Sequence, residues 1–83
     1  MPQITIHYHA LLREKTGKQE QRFEIATIAP KASDAVAAFI KAYPAFATLE
    51  SSLHVAVNNN IVSRDFPVNE GDHIDLMPPF GGG

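Results

Sequence analysis

Residues 3–9, Gln3-Ile4-Thr5-Ile6-His7-Tyr8-His9, alternate strictly between apolar and polar side chains. Successive side chains of a strand point to opposite faces, so Ile4, Ile6 and Tyr8 share one face and Thr5, His7 and His9 the other. This predicts a half-buried strand. Residues 10–16 switch to good helix formers and close at Gly17, a C′ residue, which predicts a helix of about two turns. Alternation returns over residues 21–26, with Phe23 and Ile25 inward. After Pro30, Ser33 is the expected N-cap of a longer helix, and Asp34 sits in its first turn, where the helix dipole favours an acid. Val36, Phe39, Ile40 and Tyr43 fall at i, i+3, i+4 and i+7 and form one apolar stripe, and Pro44 ends the helix.

Residues 45–52 read as a connection anchored by Phe46 and Leu49. Leu53, Val55 and Val57 then mark a short strand. Asn58-Asn59-Asn60 is a turn, because Asn tolerates left-handed backbone, and residues 61–63 form a brief extended piece. A loop and a tight turn through Asn69-Glu70-Gly71-Asp72 lead into a last strand, His73-Ile74-Asp75-Leu76-Met77, with Ile74 and Leu76 inward. One amphipathic helix with strands on both sides of it in sequence predicts a two-layer α+β fold: a small mixed sheet packed on one main helix plus a short helix. The β-grasp has this order, and in it the first and last strands lie side by side at the sheet centre. Residues 1–77 are then one domain, and residues 78–83 a C-terminal tail leaving its most rigid part.

Eighty-three residues support one core and not two. A net charge of −2 provides no field for nucleic acid or anionic lipid. No apolar run approaches the roughly 18 residues of a membrane span, and the N-terminus is not a signal peptide, so a cytoplasmic protein is expected. The chain has no cysteine, which excludes disulfides, thiolate metal sites and thiol nucleophiles.

Pro78-Pro79-Phe80-Gly81-Gly82-Gly83 ends the chain. Two prolines lack backbone N–H groups and stop the strand before them. The three glycines carry no side chain and lose much freedom on ordering, so the tip is expected to be held only by a partner's contacts. Its one unusual group is the Gly83 carboxylate, which a narrow pocket could reach.

Side-chain chemistry is sparse by comparison. The outward parity collects His7, His9, His54 and His73 on one face, and a His-x-His pair on a strand can be half of a metal site. Only Asp75 stands at a matching parity as a further ligand, and no metal is expected. Ser33, Ser51, Ser52 and Ser63 lie in no nucleophile elbow. Glu14, Glu24 and Asp34 occupy separate elements as solvated charges. Met77 differs: it is apolar, on the polar-parity face and directly before the tail. With Ile61, Ala56 and Phe80 it predicts a docking patch beside the tail.

Three segments together carry a family resemblance. Ala10-Leu11-Leu12-Arg13-Glu14-Lys15-Thr16-Gly17 resembles a first helix; Val57-Asn58-Asn59-Asn60 with Asp65-Phe66-Pro67 and Gly71-Asp72 resembles a turn region; Pro78-Pro79-Phe80-Gly81-Gly82-Gly83 fits a Pro-Pro-x-x-Gly-Gly ending. The chain resembles the small, sulfur-carrying subunits of molybdopterin synthase, of the ubiquitin-like β-grasp class, over essentially its whole length. It departs from them at Gly81, a third glycine, and at His9 and Met77, where relatives often carry phenylalanine.

The resemblance implies a mechanism. An E1-like adenylating enzyme would use ATP to activate the Gly83 carboxylate as an acyl adenylate, and sulfur from a donor would displace AMP to leave a thiocarboxylate. The large synthase subunit, in a heterotetramer, would receive it, and two rounds would convert a cyclic pyranopterin precursor to the dithiolene. The chain would bind no cofactor itself and would not be catalytic alone. Gly83 would be the reactive residue, and Gly82, Gly81, Phe80, Pro79, Pro78, Met77, Ile61 and His9 would meet the partner. The alternatives are a ubiquitin-like modifier conjugated through Gly83, a sulfur carrier for thiamine or tRNA thiolation, or a β-grasp binding module with an inert tail.

Overall fold

In the computed structural model, which describes residues 2–78, the alternating segment at the start of the chain forms β1 (Gln3–Tyr8), buried at every second residue. It is followed by α1 (Leu11–Thr16), β2 (Glu20–Glu24), α2 (Ala32–Ala42), a 3-10 helix (Pro44–Ser52), β3 (His54–Val57), β4 (Asn60–Val62) and β5 (His73–Met77). The sheet order is β2-β1-β5-β3-β4. The first and last strands pair in parallel, Ile6 opposite Ile74 and Tyr8 opposite Leu76, while the other three pairings are antiparallel. This is the α+β, ubiquitin-like β-grasp expected from the order of elements, and β5 lies at its centre.

One face of the sheet carries Ile4, Ile6, Tyr8, Val55, Val57, Ile74 and Leu76, all buried in the core with Ala32, Ala35, Val36 and Phe39 of α2. Phe39 is fully buried, and its ring lies 5.3 Å from those of Tyr8 and Phe46 and 5.4 Å from that of Tyr43. These are separations at which aromatic edges and faces attract. The two phenols leave the cluster at the same place: Tyr8 and Tyr43 both donate to Oε1 of Gln21, at 3.0 and 2.7 Å. Burial first, and the neighbouring Tyr43 second, push the Tyr8 hydroxyl far above its ordinary range, so it stays a neutral donor.

The start of α2 differs from expectation. Lys31, not Ser33, is the N-cap, and the Asp34 carboxylate reaches back to accept the Lys31 N–H at 2.7 Å. The reason lies in the 63–68 loop. Ala32 N–H donates to the Phe66 carbonyl and Ser33 N–H to the Arg64 carbonyl, so the first turn is already drawn against that loop one residue before Ser33 could cap it. The stretch after Pro44 connects as expected, with Phe46 and Leu49 packed against the core. It winds as a 3-10 helix with Pro44 at its first turn, and Arg64 donates to the Glu50 and Leu53 carbonyls at its end, at 2.6 and 2.8 Å.

The turns follow their residues. Gly17 ends α1 with φ 74° and donates to the Arg13 carbonyl, as a left-handed C-cap should. Asn58 and Asn59 take φ 51° and 73° in the β3–β4 hairpin, where positive φ at both central residues matches the strand twist. Ala10, between β1 and α1, also sits at φ 51°, a region that an alanine occupies only under restraint.

Phe39→Ala would remove the ring on which Tyr8, Tyr43 and Phe46 converge. A loss of about 3–5 kcal/mol in unfolding free energy is expected, measured by urea denaturation. A loss near that of an exposed substitution would mean that the aromatic cluster does not hold α2 to the sheet.

Candidate functional site

The helices among the described residues pack with the core face, and the chemistry of the other face is set by which outward residues the register makes neighbours. One row crosses all five strands: Glu20, His7, Asp75, Ala56 and Ile61. Beside it, His54 lies opposite Met77, and Thr5 opposite His73. His9 follows β1 directly. The parallel pairing of β1 with β5 thus brings three of the four histidines around a single carboxylate, at the end of the sheet where the chain continues towards Gly83.

Asp75 Oδ1 is 2.7 Å from His9 Nε2 and 3.2 Å from His73 Nε2. An ionised carboxylate only accepts, so both Nε2 atoms carry protons and donate. The Asp75 side chain is 13 % exposed, and the two imidazoles 47 % each. Burial alone would raise the Asp75 pKa. The hydrogen bonds from His9 and His73, and the attraction of their charge, outweigh it, so the carboxyl sits below its ordinary value of 3.8. His7 stacks on His73 with centroids 3.9 Å apart and planes 16° from parallel, and its Nδ1 lies 3.4 Å from Glu20 Oε1. The His9–Asp75 bond also ties the strained turn at Ala10 to β5.

No group of three or more His, Asp or Glu among the described residues could hold a metal ion. Two imidazole nitrogens converge on Asp75, but they do so as donors to one oxygen. His54 stands apart from them, across from Met77.

The apolar side of the face is less open than the sequence suggests. Ile61 is 67 % exposed, but Met77 is half-buried and Ala56 is 5 % exposed. Ala56 is a methyl group between Asp75 and Ile61 in the same row, and longer neighbours overtop it. Pro78 is half-buried. Pro79, Phe80, Gly81, Gly82 and Gly83, named above as partner-binding or reactive, lie outside the described residues. The structure therefore places Ile61, Met77 and His9 on one face of the sheet. An apolar hollow lies elsewhere, lined by Pro2, Ile28, Pro30 and Val68, at the end of β1 remote from Met77.

The residue that sequence reasoning undervalued is Asp75. Parity put it on the same face as the histidines, but only as a weak metal ligand. Its role as their shared acceptor depends on β1 and β5 being parallel and in this register, which spacing within one strand does not reveal.

The chain matches the model of the ThiS family over residues 6–83. It belongs to that family. It is 32 % identical over 83 residues to a molybdopterin synthase sulfur carrier subunit of Chlamydomonas reinhardtii, covering 98 % of this chain and 99 % of that protein. Two solved structures share the fold at 22 % identity. The small archaeal modifier protein 1 of Haloferax volcanii superimposes with a TM-score of 0.82 over 98 % of this chain and 99 % of that one. A Pyrococcus furiosus protein described as a putative molybdopterin converting factor subunit 1 gives 0.83 over 96 % and 100 %. At these identities the likeness is one of fold. Among the described residues of this ThiS family member, no helix is long and apolar enough to cross a membrane.

The lowered Asp75 pKa has a definite sign in stability. A carboxyl whose folded value lies below its unfolded value stabilises the fold fully above the unfolded value, and loses that contribution as pH falls through the folded one. The difference in melting temperature between the natural chain and Asp75→Asn should therefore hold down to about pH 4 and shrink below it. A difference that grows on further acidification would contradict the assignment.

Proposed function

We propose that this chain is a sulfur carrier for molybdenum cofactor biosynthesis, acting as the small subunit of a molybdopterin synthase. The observation that carries the reading is the 32 % identity to a molybdopterin synthase sulfur carrier subunit, spread over nearly the full length of both chains. Two features of the chain support it. It has no cysteine, so a carried sulfur must sit elsewhere than on a side-chain thiol. It ends in Gly82-Gly83, a backbone without Cβ atoms that fits a channel too narrow for side chains.

In this reading an E1-like enzyme joins the Gly83 carboxylate to the AMP moiety of ATP and releases pyrophosphate. Hydrosulfide from the donor then attacks the acyl carbon, the C–S bond forms and AMP leaves. The product is a thiocarboxylate. The large synthase subunit takes the tail into its active site, supplies the catalytic side chains, and returns the carrier as a carboxylate after transfer. The open sheet face with Ile61, Met77 and His9 is the docking surface. One solved structure similar in fold, with a TM-score of 0.65 and 16 % identity, is described as a complex of subunits 1 and 2 of a molybdopterin-converting factor from Helicobacter pylori, covering 98 % of this chain and 99 % of that one.

A chain ending at Gly82 tests the reading. It should keep the circular dichroism and melting temperature of the full chain yet neither load sulfur nor support dithiolene formation with the large subunit. A truncated chain that loads and donates at the normal rate would refute it. Conjugation of Gly83 to lysines of other proteins, or sulfur delivery only to thiazole or tRNA, would assign the alternatives instead.

Met77→Asp probes the docking surface. Because Met77 is half-buried, a modest drop in melting temperature is expected. Affinity for the large subunit should fall about a hundredfold or more, since a carboxylate desolvated without a partner costs several kcal/mol. Unchanged affinity in calorimetric titration would place the interface elsewhere.

A further inference from the structure

We propose that Asp75 is the polar anchor of the docking face, receiving on Oδ2 a guanidinium or ammonium group from the partner protein. The inference rests on the sulfur-carrier reading and adds the partner's chemistry to it. Both hydrogen bonds to Asp75 within the described residues end on Oδ1, from His9 and His73. Oδ2 accepts none there, and the side chain as a whole is 13 % exposed. The carboxylate is therefore half engaged. One oxygen is held in place by two rings, one of them stacked on His7, and the other accepts no hydrogen bond within the described residues.

Docking would strip water from Oδ2. A buried carboxylate oxygen left without a donor costs far more than an exposed one, so the covering surface has to provide a donor there. Charge selects its type. Glu20 and Asp75 are the two acids in the row that crosses the sheet, and the residues between and beyond them are His7, Ala56 and Ile61. The described cation nearest in register, Arg22, lies in the neighbouring row beside Thr5 and is separated from β5 by β1. A cation from outside complements this row. Charge-assisted hydrogen bonds to a carboxylate are the stronger kind. The surrounding imidazoles orient the acceptor. They are positioning residues.

Calorimetric titration of the full chain with the large subunit, and separately with the adenylating enzyme, tests this. Asp75→Asn keeps an oxygen for His9 and His73 but removes the charge, and should weaken binding about thirtyfold or more. His9→Phe, which keeps the carboxylate, should weaken it less, and thermal melts would separate lost affinity from lost fold. Natural-chain affinity should fall with rising ionic strength, and binding should be the same in buffers of different ionisation enthalpy, showing no net proton uptake. Asp75→Asn binding within about twofold of the natural chain overturns the anchor while leaving the sulfur-carrier reading intact. So does uptake of one proton that disappears in Asp75→Asn, because an imidazole would then neutralise the carboxylate. Salt-independent affinity overturns the anchor on the natural chain alone, even if Asp75→Asn fails to fold. A natural chain that binds neither protein overturns both readings.

Discussion

The parallel ladder between β1 and β5 is the constraint on which the rest of this structure depends. Its register sets Ile6 beside Ile74 and Tyr8 beside Leu76 on the core face, and His7 beside Asp75 on the open face. Because side chains alternate along a strand, a slip of one residue would turn the apolar set outward and bury the imidazoles. The core under α2 therefore protects the arrangement on the other side of the sheet. The same pairing puts β5, and so the start of the C-terminal segment, in the middle of the sheet rather than at an edge that frays.

That placement explains a division of labour. In the role proposed above the reactive group is a main-chain terminus, and such a carrier would need no catalytic side chain of its own. In that role the fold would contribute a root at the centre of the sheet and a surface by which partners orient it. The surface is mixed in kind. Ile61 supplies exposed apolar area at one end of the row, and Asp75 with its histidines a polar cluster at its centre. Apolar contact is tolerant of angle; a charge-assisted hydrogen bond is not.

Much of this was legible in the residues. The alternations Ile4-Ile6-Tyr8 and Ile74-Leu76 located both central strands, and the stripe through Val36 and Phe39 located α2, because each periodicity follows from local geometry. What the residues did not show came from tertiary contacts. Ser33 is a good cap in isolation, but the backbone of the 63–68 loop takes the N–H groups of the first turn, and Asp34 caps from within. The stretch 45–52 has little periodicity, and it is coiled by Pro44 at one end and Arg64, from a distant loop, at the other. At the candidate site, the shared face of His7, His73 and Met77 followed from parity. The bond between His9 and Asp75 joins residues 66 positions apart and follows only from the strand pairing.

The central claim is that the Gly83 carboxylate, and no side chain, carries the sulfur. Intact-mass measurement of the full chain after incubation with the adenylating enzyme, ATP and a sulfur source, followed by fragmentation in the gas phase, tests it most directly. A mass gain equal to the replacement of one oxygen by one sulfur, confined to the fragment that contains Gly83, is expected. No gain, or a gain located on any other residue, would contradict it.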